Sequence, residues 1–317
     1  MWKSDMRRKK SPVYNYAVYL LARFAVCVFH MVSDSTARAL IDGLAWLGYT
    51  LDRRHCLVAL DNLRQAFPHR YGEAELNKLV IAAYRHFFTL MVEISWLPRR
   101  MHRHNAKYYF DIDPQGKGFV DLMRSERPLL IVAGHFGNWE LAGYGLGVFG
   151  FKTHAVARPL DNPYLDGFLQ RLREQNGQTM LPKKDLPRIQ AVLAKGGKIA
   201  VLADQNAGPR GLMVNYFGRS ASTHKGIAVL ALQHRAPLVV VGIRKFAEPM
   251  RYQLIVEDII YPEEYKGFRA EAVRGITQRY TTALERVVRS APEQYFWLHN
   301  RWKQLPGGPA ASAVRAA

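Results

Sequence analysis

The chain of 317 residues is long enough for one large domain or two small ones. Its hydrophobic content of 49% is typical of a protein with a real core, which excludes a chain that is disordered throughout. The formal charge of +19, from 45 Lys and Arg against 26 Asp and Glu, indicates an anionic partner: nucleic acid, an anionic membrane surface or an acidic protein. Cys27 and Cys56 form no CxxC pair, which argues against a structural zinc site and favours a reducing compartment.

Residues 1–33 combine a basic start with an apolar stretch. Residues 13–32 have the length of a membrane span. On a helical wheel, one face of this stretch is apolar and the other carries Asn15, Tyr16, Tyr19, Arg23 and His30. The pattern predicts a membrane anchor that lies in the interface or spans the bilayer with its polar side against protein; an amphipathic core helix is the alternative. The preceding basic residues favour anionic headgroups and a cytoplasmic orientation: Arg7, Arg8, Lys9 and Lys10.

The rest of the chain divides by its hydrophobic pattern. Residues 34–105 show apolar residues at helical spacing and predict a helical segment. In residues 106–305, short apolar runs such as "RPLLIVAG", "FKTHAVA", "GKIAVLA", "APLVVVGIRK" and "RYQLIVE" alternate with helical patterns. This alternation predicts an α/β fold, with a mixed, largely parallel sheet flanked by helices and the last strand pair antiparallel. Residues 306–317 are small and predict a flexible tail.

The stretch "VAGHFGNWE" is the first candidate site. It places His135, Asn138 and Glu140 at the carboxyl end of a predicted buried strand, where open α/β sheets bind ligands. An imidazole there can take a proton from a hydroxyl, and a nearby carboxylate can fix its tautomer. We therefore predict His135 and Glu140 as a catalytic pair, with Asn138 contacting the substrate and the following helix offering N–H groups to an oxyanion. A structural strand-end histidine is the alternative.

Motifs for other reaction classes are weak or missing. "GLGVFG" at residues 145–150 matches G-x-G-x-x-G, but it follows a helical pattern rather than a strand. The sequence has no G-x-S-x-G, H-E-x-x-H or P-loop motif, so serine hydrolases, zincins and P-loop enzymes lose their usual support. A histidine base without a protein nucleophile suggests direct transfer onto a substrate hydroxyl.

Three further stretches carry candidate binding residues. Arg158 and Asn162 follow a strand that should end at the same sheet edge as His135, where Arg158 clamps a phosphate or forms a surface salt bridge. Asp204 and Gln205 end another strand, and the apolar residues 212–217 behind them suit an acyl chain, a bilayer or a short buried strand. Residues 295–303 mix aromatic residues with basic ones, including His299 and Arg301, which suits lipid headgroups or nucleic-acid bases.

In this order, the stretches "GHFGNWE", "RPLDNP", "LADQNAGP", "YFGRSASTHKG" and "APEQYFWLHNRWK" resemble the bacterial lipid A late acyltransferases, the lauroyl/myristoyl transferase group of the lysophospholipid acyltransferase superfamily. The resemblance runs from "ALDNLRQAFP" at residues 59–68 to residue 303. Asn206 stands where the family often has an acid, and Asn300 interrupts a His-Arg-Arg run. Neither departure affects His135.

The resemblance implies an O-acyltransferase of lipopolysaccharide (lipid A) biosynthesis with no metal or bound cofactor. His135 would be the general base and Glu140 its partner. Binding of the phosphorylated acceptor or the donor would fall to Asn138, Arg158, Asn162, Asp204, Gln205, His299 and Arg301. The acyl donor would be acyl carrier protein or coenzyme A, and the acceptor a glycolipid hydroxyl at the cytoplasmic face of the bacterial inner membrane.

Other acceptors and another class of protein stay open at this point. A lysophospholipid, an aminolipid or a mannosylated lipid would satisfy the same motifs. The alternative from a different class is a basic protein that binds anionic lipid or nucleic acid without chemistry, motivated by the pI of about 10.0. We favour the enzyme, and no nucleic-acid partner, because of the membrane anchor.

Overall fold

A computed structural model of the protein describes residues 11–112, 116–175, 177–248 and 250–303. The predicted basic N-terminus and flexible tail lie outside these ranges. The helices are α1 (Pro12–Met31), α2 (Asp34–Leu51), α3 (Arg53–Ala66), α4 (Glu73–Arg100), α5 (Gly116–Arg124), α6 (Trp139–Val148), α7 (Pro163–Glu174), α8 (Leu186–Ala194), α9 (Gly226–His234) and α10 (Ala270–Ser290). The strands are β1 (Phe110–Ile112), β2 (Leu129–Gly137), β3 (Thr153–Ala157), β4 (Gln178–Pro182), β5 (Lys198–Leu202), β6 (Leu212–Tyr216), β7 (Arg219–Thr223), β8 (Leu238–Ala247) and β9 (Arg251–Ile260).

A mixed, largely parallel sheet forms the centre of the molecule, as the sequence predicts. Its strand order is β1-β9-β8-β2-β5-β3-β4. β2 runs parallel to both β5 and β8, and β3 runs parallel to β5 and β4. The last pair, β8 and β9, is antiparallel. The apolar run of β2 is fully buried over residues 129–132 because helices cover both faces of the sheet. The carboxyl ends of β2, β5, β3 and β4 therefore share one edge.

The apolar stretch at residues 212–217 forms a strand and the turn that follows it. β6 and β7 make a separate antiparallel hairpin, in which Val214 and Tyr216 are buried and Met213 is exposed. Phe217, in the turn, has a positive φ of 54° and packs among aromatic rings. Of the alternatives for this stretch, the structure shows the short buried strand.

The N-terminal helices share cores with the sheet. One core cluster joins Leu63 of α3 and Val80 of α4 to Phe136 of β2 and to Trp297 near the C-terminus. Another joins Leu90 of α4 to the sheet and to α6. The helical segment is thus packed onto the α/β part by apolar burial, which is the main favourable contribution to folding.

Helix α1 has one face on the protein and one face open. Its polar face contacts the protein: the backbone oxygen of Asn15 accepts a hydrogen bond from Asn162, Tyr16 and Tyr19 pack on Tyr164, and His30 lies 3.1 Å from the Ser95 carbonyl oxygen. On the apolar face, Leu21 and Phe24 are 68% and 66% exposed. Among the described residues, α1 is the one helix long and apolar enough to cross a membrane. Its open apolar face agrees with an anchor and disagrees with a core helix.

Candidate active site

His135 and Asp204 meet where β2 and β5 end side by side. The parallel register pairs Ala133 with Leu202, so the residues that follow these two positions are neighbours. The Asp204 carboxylate accepts two hydrogen bonds from His135: one from the ring Nδ1, 2.8 Å away, and one from the backbone N–H, 2.9 Å away. Asp204 is 3% exposed. The carboxylate therefore fixes both the ring orientation and the tautomer, with the proton on Nδ1 and Nε2 left as the basic atom.

Each member of the pair favours the charged form of the other. Burial alone would lower the pKa of His135, but the charge and hydrogen bond of Asp204, helped by the charge of Glu140, raise it. Burial alone would raise the pKa of Asp204, but the His135 charge and hydrogen bonds lower it to about 2. Asp204 is consequently ionised at every physiological pH, and it stabilises an imidazolium that forms during proton transfer.

Glu140 does not bond to the His135 ring, so that part of the sequence prediction is wrong. β2 continues to Gly137, and Glu140 lies in the first turn of α6, where its carboxylate binds Arg173 of α7 through both oxygens, one at 2.8 Å from Nε. The pair is largely buried. Glu140 still acts on His135 through its charge, which raises the His135 pKa. Its assignment as a catalytic residue stays a prediction.

Asn138 has a structural position rather than a substrate-facing one, which corrects the prediction that its side chain contacts the substrate. It is fully buried as the N-cap of α6, with its side-chain oxygen accepting from the Leu141 N–H at 2.9 Å. Its amide nitrogen donates to Glu93 of α4 at 3.2 Å. Both ends of the amide are therefore used within the protein.

Helix α4 holds the turn between His135 and α6 through groups that sequence patterns did not reveal. His86 Nε2 lies 3.0 Å from the Gly137 carbonyl oxygen. Burial lowers the pKa of His86 to about 4, so the ring is neutral and donates this bond. Glu93, 2% exposed, binds Lys245 at 2.8 Å and the Tyr252 hydroxyl as well as Asn138. The turn itself needs glycine: Gly137 has φ +58°, and a Cβ there would lie 1.4 Å from the Ile243 carbonyl oxygen.

The C-terminal segment closes the other side of the site. The Phe296 N–H donates to the His135 carbonyl oxygen at 3.0 Å, and His299 Nε2 accepts from the Asn206 N–H at 3.3 Å. His299 is half-buried, and its pKa is lowered by burial and by the charges of His135 and Arg301, against the opposite effect of Asp204. The structure therefore places His299 beside the His135–Asp204 pair.

Arg301 binds the protein rather than a ligand, which corrects its predicted substrate-binding role. It is 2% exposed, and its guanidinium donates to the Ser222 carbonyl oxygen at 2.6 Å and to the Thr223 hydroxyl at 2.7 Å. These bonds attach the C-terminal segment to the end of β7. A guanidinium this enclosed cannot reach a substrate.

Of the other predicted binding residues, Gln205 and Arg158 remain accessible, whereas Asn162 and Asp204 bond within the protein. Gln205 Nε2 lies 3.5 Å from His135 Nε2, so it borders the basic atom. Arg158 is exposed at the same sheet edge and is paired with Asp161 at 2.9 Å. The side chain of Asn162, by contrast, caps α7 and donates to the Asn15 carbonyl oxygen, which corrects its predicted role in substrate binding. Asp204 positions His135 and is too buried to contact a substrate itself.

An apolar cavity opens beside His135. Its volume is about 340 Å³, within the range of ligand pockets. Gly134 and Trp139, on either side of His135 in the chain, line it, and the Trp139 ring lies 5.0 Å from the His135 ring. The floor is a row of three small or branched residues on adjacent strands, Ile131, Ala200 and Ala155. Phe110 and Leu254 line it on β1 and β9. Such an enclosure suits a hydrocarbon chain next to the basic nitrogen.

Within the described ranges, no group of three or more His, Cys, Asp or Glu side chains is placed to hold a metal ion. The expectation that no cofactor is needed stays a prediction. A paired histidine base, a cavity for a hydrocarbon and a mixed α/β sheet define an acyltransferase class of site.

Comparison with known proteins shows which family of acyltransferases the chain belongs to. The model of the bacterial lipid A biosynthesis acyltransferase family matches residues 6–304, and the chain belongs to that family. Its lipid A lauroyltransferase relative from Escherichia coli K12 is 28% identical over 280 residues, covering 84% of this chain and 85% of the relative. The palmitoleoyltransferase of the same strain and a lipid A acyltransferase of Shigella flexneri are each 25% identical, covering 82% of both chains. The chain is thus an O-acyltransferase of the lipid A type, and the non-catalytic alternative is set aside.

Proposed function

We propose that the protein is a membrane-anchored enzyme that moves a fatty acyl group from a thioester of acyl carrier protein or coenzyme A to a hydroxyl of a lipid A-type glycolipid precursor. The observation that carries this proposal is the His135–Asp204 pair next to the apolar cavity, which Gly134 and Trp139 line. The pair supplies a base for a hydroxyl, and the cavity accommodates the chain of an acyl donor. Family membership supports the acceptor class.

In the proposed reaction, His135 Nε2 removes the acceptor hydroxyl proton as that oxygen attacks the thioester carbonyl. Asp204 stabilises the resulting imidazolium, and the N–H groups in the first turn of α6 stabilise the oxyanion. Collapse of the tetrahedral intermediate forms the ester bond and expels the thiolate, which takes the proton back from His135. The reaction consumes no other reactant and requires no metal or bound cofactor.

We place the enzyme at the cytoplasmic face of the bacterial inner membrane. The support is the open apolar face of α1, the basic residues 7–10 before it and the net charge of +19. An acidic carrier protein and a phosphorylated glycolipid are both attracted by such a surface. Gln205 borders His135 Nε2, and Glu140 and Arg173 line the cavity, so these three residues are the ones that we propose to meet the substrates first. Substrate binding by Arg158 and His299 stays a prediction.

The proposal is tested by mass spectrometry of total lipid from cells that make the wild-type chain, His135→Ala or His55→Ala at equal membrane abundance. His55 is a matched control because its ring is also paired with an aspartate, Asp52 at 2.8 Å, but on the exposed surface. We expect a glycolipid that gains one acyl mass with wild type and His55→Ala. With His135→Ala, the rate should fall by about 10²–10⁴-fold, as expected for loss of a general base.

Two results would contradict the proposal. Undiminished transfer by His135→Ala would remove His135 as the base. A mass gain on a lysophospholipid, an aminolipid or a mannosylated lipid in place of the glycolipid would keep the chemistry and overturn the acceptor. The mass difference also measures the acyl chain length.

A further inference from the structure

Exposed basic residues gather at one corner of the molecule, where α4 ends and β1 begins. This basic corner consists of Arg99, His102, Arg103, His104 and Lys107, together with Arg251 at the start of β9. Two exposed aromatic rings lie among the cations. Lys107 Nζ is 5.3 Å from the centre of the Tyr108 ring, and the Arg251 guanidinium is 5.5 Å from the centre of the Phe246 ring.

Hydrogen bonds hold the segments of the basic corner together. The Asn105 amide and the Tyr109 hydroxyl both donate to the Arg100 carbonyl oxygen, at 2.8 and 2.9 Å, which folds this segment back onto the end of α4. The Tyr252 N–H donates to the Tyr109 carbonyl oxygen at 2.8 Å, which brings Arg251 to the same place. Basic residues from two distant parts of the sequence therefore form one surface.

Little negative charge balances the basic corner. Within the described residues, the ion pairs leave out four of its cations: Arg99, Arg103, Lys107 and Arg251. Two nearby carboxylates are already paired, Asp34 with Arg100 and Glu248 with Lys245. Asp111 on β1 is exposed and can oppose part of the positive charge. The surplus of cations attracts an anionic surface.

The basic corner borders the C-terminal end of α1. His30 Nε2 lies 3.1 Å from the Ser95 carbonyl oxygen, one turn before Arg99. Burial and the charges of Arg99 and Arg100 lower the pKa of His30, so these guanidinium groups are close to the end of α1. Basic residues 7–10 precede the other end of α1 in the sequence. The exposed apolar face of α1 is therefore flanked by cations at both ends.

Helix α1 contacts the folded protein along its whole length. Near its start, Tyr16 packs on Tyr164 of α7, with 5.2 Å between the ring centres. In its middle, the Arg23 guanidinium lies 5.4 Å from the Phe168 ring of α7, and its end reaches α4. A spanning helix has its ends on opposite sides of the bilayer, whereas both ends of α1 lie on the same folded body. This arrangement is that of a helix in the plane of the interface.

The basic corner lies at the same sheet edge as the reaction centre. β8 runs parallel to β2, and β9 runs antiparallel to β8. Phe246 at the end of β8 and Arg251 at the start of β9 are consequently at the edge where β2 delivers His135. A bilayer against the basic corner therefore borders the edge at which a lipid acceptor has to arrive.

We propose that the basic corner binds anionic lipid headgroups and, together with α1, holds α1 in the plane of the membrane interface. Lys and Arg side chains are attracted to the phosphates of an anionic leaflet, and aromatic rings prefer the headgroup level. The inference rests on the membrane attachment in the proposed function and adds a second contact surface to it. An acidic carrier protein is also anionic, but the exposed rings beside the end of α1 favour the bilayer.

The test measures binding of the full-length chain to vesicles of phosphatidylcholine, with and without phosphatidylglycerol, by flotation. The variant Arg103→Gln/Lys107→Gln is compared with the matched control Arg235→Gln/Lys195→Gln, which removes the same charges at exposed positions before β8 and β5, at the opposite sheet edge. We expect the variant to need about tenfold more of the mixed lipid for half-maximal binding, and the control to stay within about twofold of wild type. Each Lys or Arg near an anionic surface contributes about fivefold in affinity. Binding to phosphatidylcholine alone should not change.

Two results would overturn the headgroup surface. One is equal affinity of the variant and the control for the mixed vesicles. The other is unchanged vesicle affinity together with a higher KM for an acyl carrier protein donor, which would assign the basic corner to carrier docking. Vesicle binding needs no acyl transfer, so a loss of affinity in a protein without transfer would leave the surface standing and the proposed chemistry wrong.

A second measurement tests the orientation of α1. Ser11→Cys and Ser33→Cys mark the residues before α1 and before α2, in a chain that also carries Cys27→Ser; Cys56 is buried. Sealed sphaeroplasts are treated with a maleimide that does not cross membranes. We expect neither position to react until the inner membrane is opened, after which both react. Reaction of Ser11→Cys in sealed sphaeroplasts would place the ends of α1 on opposite sides of the bilayer and overturn the in-plane arrangement.

Discussion

At the scale of single residues, the Asp204 carboxylate controls both the tautomer and the charge of His135. It accepts the ring N–H at 2.8 Å, and it outweighs the burial that would otherwise lower the His135 pKa. A base must be neutral to take a proton. Because the His135 pKa is raised, kcat/KM should rise with pH through a value above the ordinary histidine pKa of about 6.5 and then level off.

Asp204→Asn should lower kcat by about 10²–10⁴-fold, because the tautomer is no longer fixed and the imidazolium loses its counter-charge. The same change should move the acidic limb of the kcat/KM profile to lower pH, because burial then dominates the His135 pKa. The measurement is kcat and kcat/KM as a function of pH for the wild type and for Asp204→Asn. Asp52→Asn, in the exposed pair with His55, is the control and should leave the profile unchanged.

If kcat/KM of Asp204→Asn rises at the same pH as in the wild type, Asp204 does not raise the His135 pKa. This result would contradict its electrostatic role even if kcat falls.

The sequence predicted His135 but assigned its partner to Glu140. Spacing along the chain identifies residues that are close in sequence, and Glu140 is five positions away. Asp204 is 69 positions away and becomes a neighbour only through the pairing of β2 with β5. The sequence did predict that a strand of a largely parallel sheet ends at Asp204, so the signal for Asp204 was its place after such a strand.

At the scale of secondary structure, α4 fixes the turn that carries the site. His86 and Glu93 lie seven residues apart, on the same side of α4, and bind the consecutive residues Gly137 and Asn138. The long apolar runs of β2, β5 and β8 were predictable because a strand buried on both faces is continuously apolar. β1, β4 and β7 were missed because they are short and partly polar. The α4 contacts were missed because a polar residue inside a helical pattern gives no sign of its distant partner.

Glu93→Ala should lower the free energy of unfolding by about 1–3 kcal/mol, because it leaves the buried Tyr252 hydroxyl and the Asn138 amide without their acceptor, while Lys245 keeps Glu248 as its partner. It should also lower kcat, because Asn138 loses a hydrogen bond at the start of α6. Denaturant unfolding and steady-state kinetics measure the two effects. The control is Glu257→Ala, which breaks a partly exposed pair with Arg286 and should cost less than about 1 kcal/mol.

Equal stability losses for Glu93→Ala and Glu257→Ala would show that the Glu93 network does not stabilise the fold as its burial indicates.

The residues on the floor of the cavity should limit the length of the acyl chain that it accepts. Ala200 lies between Ile131 and Ala155 in the central row of the sheet, so Ala200→Leu places three more carbons in the cavity. We expect a preference for shorter acyl chains, measured by competition between donors of different length. Ala191→Leu, on the exposed side of α8, is the control. Thermal unfolding checks that overpacking, which typically costs about 1–3 kcal/mol, has not unfolded the protein.

An unchanged chain-length preference in a folded Ala200→Leu protein would exclude this part of the cavity from acyl binding.

At the scale of the whole molecule, the proposed membrane anchor depends on the exposed apolar face of α1. Phe24→Glu puts a charge on that face and should release the protein from vesicles of anionic phospholipid, measured by co-sedimentation. Phe268→Glu is the matched control: Phe268 is also exposed, at 59% against 66%, but it lies near the start of α10 at the sheet edge opposite the site. Equal release by both variants, or by neither, would contradict an anchor at α1.

Helix α1 also packs against α4 and α7, so it cannot be removed without changing the rest of the fold. The Trp96 indole N–H donates to the Phe29 carbonyl oxygen at 3.2 Å, and Asn162, which caps α7, bonds to Asn15. A shortened chain that starts at α2 would expose the buried Trp96, remove the ring contacts of Tyr164 and loosen the start of α7. Low activity of such a fragment would report damage to this part of the fold, so the proposed membrane attachment should be tested by changing the outer face of α1 rather than by deleting the helix.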